Sequence, residues 1–150
     1  MHTVEPPQLL GRWRLHRRLA DRRAGVQGWL TGTLDLQQQA PDRISWYEKG
    51  TLSWQGERLE VFREYAIVSD GSGWQVLFAD GRPFHPWRPG ELVEHPCRAD
   101  RYRGLVVVDR DRTRLRVQWD VSGPAKDQRI LSRCYRMDGT SPRQTSLNAV

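Results

Sequence analysis

Short runs of alternating apolar and polar residues, separated by Gly, Asp and Pro, recur along this chain about every 8 to 12 residues. An alternation of period two places successive side chains on opposite faces of a β-strand. Helical periodicity is nearly absent, except that Pro6-Pro7-Gln8-Leu9-Leu10 predicts one short turn of helix, since Pro is tolerated in a first helical turn. The pattern therefore predicts an all-β domain with a short N-terminal helix.

The turns between these runs predict how neighbouring strands pair, because a one-residue slip would move every side chain to the opposite face. A two-residue turn at Gln55-Gly56 pairs Leu52 with Leu59, Gly50 with Val61, Glu48 with Arg63, Trp46 with Tyr65 and Ile44 with Ile67. A turn at Asp111-Arg112 pairs Val108 with Leu115, Val106 with Val117, Gly104 with Trp119 and Tyr102 with Val121. Both hairpins put their apolar residues on one shared face.

Two further turns extend this face along the chain. A turn centred on Gly71-Ser72 pairs Ile67 with Val76 and Tyr65 with Phe78, and it brings Asp80 opposite Arg63. A tight loop after Leu19 sets Leu19 against Val26, Leu15 against Leu30 and Trp13 against Gly32, and then places Gly32 beside Glu48. Consecutive hairpins therefore share one inward face.

A sheet of about nine or ten strands would expose two long edges unless its last strand, near residues 130–137, pairs with the first. The chain is thus predicted to form a single antiparallel up-and-down β-barrel, and a barrel of more than about eight strands can leave a cavity. The inward positions include four glycines and four tryptophans, namely Gly28, Gly32, Gly50, Gly104, Trp13, Trp46, Trp74 and Trp119. For the last strand, either Ile130, Ser132 and Cys134 or Leu131, Arg133 and Tyr135 face inward.

The composition is that of one soluble domain. The chain has 150 residues, of which 37% are hydrophobic and 28% are charged, and we expect residues 1–138 to form the barrel and residues 139–150 a flexible tail. No apolar run approaches the roughly 20 residues of a membrane span, and no signal peptide is evident. Cys97 and Cys134 are therefore expected to be reduced thiols in a cytoplasmic protein with no membrane partner.

The formal net charge of +6 raises the question of a nucleic-acid partner. The basic residues are scattered from Arg12 to Arg143, and many stand beside Asp or Glu. This scatter favours a solvated surface over a nucleic-acid footprint, so no nucleic-acid partner is predicted.

The predicted register places Glu48, Arg63 and Asp80 side by side on the otherwise apolar inner face. An unpaired charge there would cost several kcal/mol, so an arginine between two carboxylates is a reasonable arrangement for buried charges. Two interpretations remain open: an ion cluster that closes the barrel floor, or an anchor for a ligand.

Other polar groups gather near the predicted barrel mouth. Gly81 and Pro83 leave Arg82, Phe84 and His85 near the strand end, and His95-Pro96-Cys97 is followed by Asp100 and Tyr102. No motif supplies an oxyanion hole, so a buried Cys97 and a capping His95 are favoured over a catalytic pair, and the spacing matches no zinc pattern. The candidate ligand-binding residues are Glu48, Arg63, Tyr65, Asp80, Arg82, Phe84, His85, His95, Asp100, Tyr102, Trp119 and Lys126.

Several segments carry a family resemblance. Gly11-Arg12-Trp13 is similar to the Gly-x-Trp signature of lipocalins and other calycins. A further set resembles the small lipocalin-like family of bacterial and fungal proteins catalogued as domain-of-unknown-function family 6314: Tyr47-Glu48-Lys49-Gly50, Asp80-Gly81-Arg82-Pro83-Phe84-His85, His95-Pro96-Cys97 with Asp100 and Tyr102, Gly123-Pro124 with Lys126-Asp127, and Tyr135-Arg136. The resemblance covers about residues 10 to 137 and implies a calycin-type barrel without implying a reaction.

The leading hypothesis is a binding protein that takes a small, partly apolar ligand with an anionic or hydrogen-bonding head, anchored by Arg63 and Arg82. An alternative is a calycin-type isomerase, cyclase or hydrolase that uses His85 or His95 with a carboxylate. Others are a haem-binding barrel with one of these histidines as axial ligand, and a protein interaction module. The ligand, the cofactor, the oligomeric state and the roles of the two cysteines are left unassigned.

Overall fold

The structure is a computed structural model that describes residues 4–137. Within them the chain forms ten antiparallel strands: β1 (Gly11–Asp21), β2 (Val26–Ala40), β3 (Arg43–Trp54), β4 (Glu57–Ser69), β5 (Trp74–Phe78), β6 (Pro83–Pro86), β7 (Val93–Cys97), β8 (Asp100–Val108), β9 (Arg114–Ser122) and β10 (Asp127–Arg136). The predicted short helix is a 3₁₀ turn at Pro6–Leu9. The predicted tail, residues 139–150, lies outside the described residues.

The ten strands form one sheet in the order β6-β5-β4-β3-β2-β1-β10-β9-β8-β7. The predicted closure of the last strand onto the first is confirmed, since β10 pairs with β1 along nine residue pairs. The edge strands β6 and β7 lie against each other, but no hydrogen-bonded ladder joins them in the described part of the chain. The fold is therefore a nearly closed, all-β up-and-down barrel.

Most predicted strand registers are confirmed. Every predicted pair of β3 with β4 and of β8 with β9 is observed, and β4 pairs with β5 through Ile67–Val76 and Tyr65–Phe78. The turn at Gln55 and Gly56 has positive φ at both residues, which is the backbone of the two-residue hairpin turn that the sequence predicts.

The predicted register of β1 with β2 is wrong by two residues. Leu19 lies opposite Gly28 instead of Val26, and Glu48 lies beside Leu34 instead of Gly32. The cause is that β1 continues to Asp21 and the connection is a turn at residues 22–25. Because the shift is an even number of residues, the inward face keeps its composition.

The phase of the last strand is settled by burial. Ser132 and Cys134 are buried, whereas Arg133 and Tyr135 are exposed. The set Ile130, Ser132 and Cys134 therefore faces inward.

One end of the barrel is filled by the 3₁₀ turn and a packed core. Leu9 and Trp13 are fully buried, and the Trp13 Nε1–H donates to the Leu9 carbonyl at 3.0 Å. Trp87 Nε1–H donates to the Val4 carbonyl at 2.8 Å, and the Arg136 guanidinium lies over the Trp13 ring at 4.4 Å. This end of the interior is therefore closed.

The opposite end is open because β5 is shorter than β4. β5 covers β4 only from Tyr65 to Ser69, and no described strand covers the free edge of residues 57–64. No strand pairs with β4 at Arg63 on this side, so Arg63 is exposed although its position in β4 faces inward.

Two inward glycines allow β2 and β3 to approach closely. A Cβ atom on Gly32 would collide with the Lys49 carbonyl oxygen and lie 2.6 Å from the Gly50 Cα. Only glycine fits at this crossing, so Gly32 and Gly50 allow the two strands to coil closely together.

Candidate ligand site inside the barrel

A buried ion pair lies at the centre of the interior. Arg17 and Glu48 are only 8% and 5% exposed, and the Arg17 Nη2 donates to both carboxylate oxygens of Glu48 at 2.9 Å. Arg17 Nε donates to Ser132 Oγ at 2.7 Å, and Trp46 Nε1 donates to Glu48 Oε2 at 2.9 Å. Strands β1, β3 and β10 thus hold one hydrogen-bonded network across the barrel.

This network corrects the predicted ionic row. Glu48 lies inside as its phase predicts, but its ion-pair partner is Arg17, and no ion pair joins it to Arg63 within the described residues. The prediction that Asp80 touches Arg63 is wrong. β5 ends at Phe78, whose N–H donates to the Arg82 carbonyl, and the chain turns before Asp80 could continue the ladder.

Asp80 instead lies on the surface with Arg82. The Asp80 carboxylate accepts the Arg82 backbone N–H at 3.0 Å and its Nε–H at 2.7 Å, and both side chains are more than half exposed. These hydrogen bonds from Arg82 lower the pKa of Asp80. Arg82 also stands 5.0 Å from the Phe78 ring centre. The pair therefore stabilises the turn outside the site.

Arg63 is the second cation of the interior. Its Nη1 donates to the Tyr65 hydroxyl at 3.2 Å, and in residues 4–137 no carboxylate lies within ion-pair distance. Partial burial lowers the pKa of Arg63, but its interactions with Tyr65 and Glu48 outweigh this and raise it overall. Arg63 therefore stays charged.

The interior carries more positive than negative charge. Arg17 and Arg63 face one carboxylate, that of Glu48. The Nη1 group of Arg17 makes no hydrogen bond to any described residue, and neither do the Nε and Nη2 groups of Arg63. Several guanidinium N–H groups are thus free to bind an acceptor.

Two spaces surround these groups. One measures about 120 Å³ and has the apolar walls Leu19, Leu30, Leu52, Val61 and Ile130; the other measures about 40 Å³ and lies on the aromatic side. Both border Arg17, Glu48 and Arg63. A cavity of about 150 Å³ holds one benzene molecule. The two spaces together thus have room for about one small ring.

A third space lies beside the first. It measures about 240 Å³, shares Leu19, Leu52 and Ile130 with the first, and reaches Trp54 and Arg129 at the open end.

Aromatic side chains line the smaller space. Phe84 is stacked between Trp119, at 4.8 Å and 17°, and Phe78, at 4.5 Å and 20°. The Tyr65 ring also stacks on Phe84, with ring centres 5.5 Å apart and planes inclined by 27°. Of the candidate residues, Tyr65, Phe84, His85 and Trp119 are therefore brought together here with Glu48 and Arg63.

His85 is buried beside this stack and has a fixed tautomer. Its Nδ1 lies 2.8 Å from the Pro86 carbonyl oxygen, which can only accept, so Nδ1 carries the proton and Nε2 is an acceptor. Burial lowers the pKa of His85, so the ring is neutral near pH 7. His95 is half-buried with its ring edge-on to Phe78 and Phe84. Among the described residues, neither imidazole hydrogen-bonds to a carboxylate.

The other candidate residues lie at the rim. Lys126 Nζ pairs with Asp100 at 3.0 Å, and this hydrogen bond raises the pKa of Lys126. Tyr102 is half-buried and stands edge-on to His95 at 5.9 Å. None of these residues borders the two spaces at Arg17 and Glu48.

The two thiols lie in opposite environments. Cys97 is exposed at the end of the edge strand β7, so the prediction that it is buried is wrong. Cys134 is buried in the core, and burial raises the pKa of its thiol to about 12. No three His, Cys, Asp or Glu side chains within residues 4–137 gather as a metal site.

Sequence reasoning missed Arg17 and left Ser132 undecided. Arg17 was counted among the scattered arginines that were interpreted as a solvated surface. Its position nevertheless alternates in phase with Trp13, Leu15 and Leu19, which are inward residues of the same strand. That alternation was the available signal.

The comparisons with known proteins concern the whole barrel. Residues 9–136 match the model of a family described as "Family of unknown function (DUF6314)". The chain belongs to that family. This confirms the predicted resemblance to family 6314 but not its predicted calycin character, and the match spans all ten strands. No curated protein matches the chain.

Similar solved structures include designed barrels. The redesigned β-barrel mFAP0, bound to DFHBI, is 12% identical, with 85% of this chain and 98% of that chain covered and a TM-score of 0.46. A de novo designed fluorescence-activating β-barrel is 19% identical, with coverages of 90% and 100% and a TM-score of 0.47. These are distant likenesses, and nothing about a ligand of this chain follows from them. In residues 4–137 no helix is long and apolar enough to span a membrane.

Proposed function

We propose that this chain binds a small, partly apolar anion inside its barrel. The observation that supports this most is the charge balance of the interior, where Arg17 and Arg63 face the single carboxylate of Glu48. Arg17 is buried and already paired with Glu48, whereas Arg63 reaches solvent at the open end and has no carboxylate partner among the described residues. An anion between Arg63 and the free Nη1 of Arg17 would complete the pairing.

A carboxylate is the head group that fits best. The planar fork of a guanidinium matches the two oxygens of a carboxylate, and such charge-assisted hydrogen bonds are about twice as strong as neutral ones. Arg17 contacts both oxygens of Glu48 through its single Nη2 group and so does not use its full fork. Arg63 still has its Nε and Nη2 groups free.

The walls define the rest of the ligand. The space beside Arg63 is bordered by Leu30, Leu52 and Val61, and the inner space by stacked rings. Apolar walls with a few placed polar groups are typical of small-molecule sites. We therefore propose an aromatic or aliphatic monocarboxylate with a body of about one ring, held in a lipocalin-like, cytoplasmic binding protein.

Calorimetry and tryptophan fluorescence with matched probes test this proposal. Phenylacetate and benzoate are compared with phenylacetamide and benzamide, which have the same shape without the charge; Trp46 and Trp119 report from the inner space. We expect the carboxylates to bind at least tenfold more tightly than the amides. Arg63→Gln should weaken carboxylate binding at least tenfold, because it removes the cation at the head group.

Arg58→Gln is the matched control, since Arg58 is an exposed arginine on the same strand outside both spaces. It should bind like the wild type. Equal affinity for acids and amides, or unchanged carboxylate binding by Arg63→Gln, would contradict the proposal. The proposal would also be contradicted if none of the carboxylate probes binds and native mass spectrometry of the protein purified from its own host shows no bound small anion.

A further inference from the structure

The outer surface of the barrel gathers arginines that are far apart in sequence. Arg14 on β1, Arg133 on β10 and both Arg114 and Arg116 on β9 are all exposed. In the ladders, Arg14 and Arg114 flank Tyr135, and His16 and Arg116 flank Arg133. Because alternate residues share one side of a sheet, these side chains form one surface, here named the arginine face (Arg14, His16, Arg114, Arg116, Arg133 and Tyr135).

The charges of the arginine face are not neutralised by neighbours. Arg133 lies directly opposite Arg116, and like charges in that position destabilise a sheet. In the described part of the chain, none of its four arginines forms an ion pair or a side-chain hydrogen bond. The adjacent pairs Arg12–Asp35 and Arg129–Asp120 show that carboxylates stand beside other surface arginines.

One carboxylate borders this surface. The oxygens of Asp109 accept hydrogen bonds from the backbone N–H groups of Thr113 and Arg114 and from the Thr113 hydroxyl. Burial raises the pKa of Asp109, but these hydrogen bonds and the charge of Arg114 lower it overall. Asp109 therefore offsets at most one of the four arginine charges, and the arginine face keeps an excess of positive charge.

A groove runs through the arginine face. It measures about 270 Å³, and its polar lining consists of Asp109, Arg114, Arg116, Arg133 and Tyr135. Tyr135 is 40% exposed, and its ring centre lies 6.1 Å from that of His16 in an edge-to-face arrangement. The groove thus combines an accessible aromatic ring with cations on both sides.

We propose that the arginine face binds single-stranded nucleic acid without sequence preference. A basic groove that follows the phosphates, with an aromatic side chain on which a base stacks, is the arrangement that binds single strands. Arg116 and Arg133 would contact phosphates, whose charge relieves their mutual repulsion, and Tyr135 would stack with a base. A duplex keeps its bases stacked inside, so it could not use the ring in this way.

The arginine face reverses the expectation from the sequence that this protein has no nucleic-acid partner. The scatter of arginines along the chain favoured a solvated surface, but pairing of β10 with both β1 and β9 removes that scatter in space. It is independent of the ligand site, since the arginine face is on the outside and the cavity residues face inward.

Fluorescence anisotropy with fluorescein-labelled dT12 and rU12 tests the proposal. Arg116→Gln with Arg133→Gln should weaken binding at least tenfold and reduce the slope of log affinity against log salt by about 1.4, since each contact to a single strand contributes about 0.7. Tyr135→Ala should weaken binding about tenfold through lost stacking. Thermal melting verifies that each variant is folded.

The double variant Arg43→Gln with Arg88→Gln is the control, because both residues are exposed and lie away from the arginine face. It removes the same two positive charges as the test variant. We expect it to retain most of the binding. An equal loss in this control, or no binding of either oligonucleotide by the wild type, would overturn the proposal. Binding to phosphatidylserine vesicles without binding to the oligonucleotides would also overturn it, in favour of a membrane surface.

Discussion

Replacing Glu48 by Gln tests the buried network most directly. Glutamine has nearly the same shape, so the substitution removes the charge without opening a cavity. Arg17 would keep Ser132 as an acceptor but lose its only carboxylate. Trp46 Nε1, which donates to Glu48 at 2.9 Å, would compete with Arg17 for one amide oxygen.

The expected loss is large because both ions are almost fully buried. Removing one partner of a buried ion pair costs about 3–5 kcal/mol. Because the space beside Arg17 can admit water, we expect the loss in free energy of unfolding to lie at the lower end of this range, at about 3 kcal/mol. For a domain of this size each kcal/mol lowers Tm by roughly 3–4 °C, which gives a fall of about 10 °C.

Urea unfolding with a double-mutant cycle measures the effect. The single variants Arg17→Met and Glu48→Leu should each be strongly destabilised, whereas the double variant should lose less than either, since a buried ion pair can be replaced by apolar residues at little cost. The coupling free energy should be about 2 kcal/mol or more, near the upper part of the range for residues in contact.

An exposed ion pair provides the control. Asp35→Asn removes the partner of Arg12, whose side chain is 51% exposed, and should cost at most about 1 kcal/mol. If Glu48→Gln costs no more than Asp35→Asn, or if the losses of the two single variants simply add, Arg17 and Glu48 are not coupled as the geometry indicates.

Three further predictions concern a histidine, a glycine and the thiols. Burial lowers the pKa of His85 below 6.5, so its contribution to the free energy of unfolding should be fully present above about pH 6.5 and should be lost at lower pH, where the unfolded chain takes up a proton. In melting curves, the Tm of His85→Asn should therefore fall less with decreasing pH than that of the wild type, and an equal fall would contradict this. Gly32→Ala should cost about 1–3 kcal/mol in urea unfolding because its Cβ collides with backbone, while Gly73→Ala, which has open space, should cost little. With iodoacetamide at about pH 8, Cys97 should be alkylated in the folded protein, whereas Cys134 should be alkylated only after unfolding. Detection of alkylated Cys134 in the folded protein by mass spectrometry would refute this.

The accuracy of the sequence predictions depended on the turns. The two-residue turn at Gln55-Gly56 defined the register of β3 with β4 fully, because its backbone requirement leaves no freedom in pairing. The longer turn at residues 22–25 carries no such signal, and the predicted register was two residues off. Asp80 was misplaced because the alternation does not show where β5 ends.

Charged residues in an apolar phase were harder to interpret. Glu48 was placed inside because the β3–β4 hairpin fixed its face, but Arg17 has the same phase as Leu15 and was grouped with solvated arginines. Its partner lies two strands away in the sheet, so pairing of adjacent strands could not reveal it. The arginine face likewise depends on which strands become neighbours when the barrel closes.

The ladder between β1 and β10 has a consequence for folding kinetics. Among the described ladders it alone joins strands from opposite ends of the sequence, since the others connect consecutive strands. Closing the loop from Asp21 to Gln128, which lie opposite each other, costs roughly 4 kcal/mol of chain entropy, whereas the hairpins close cheaply. Two meanders, β1 to β6 and β7 to β10, can therefore form from local contacts, and their joining along this ladder is the step that high contact order makes slow.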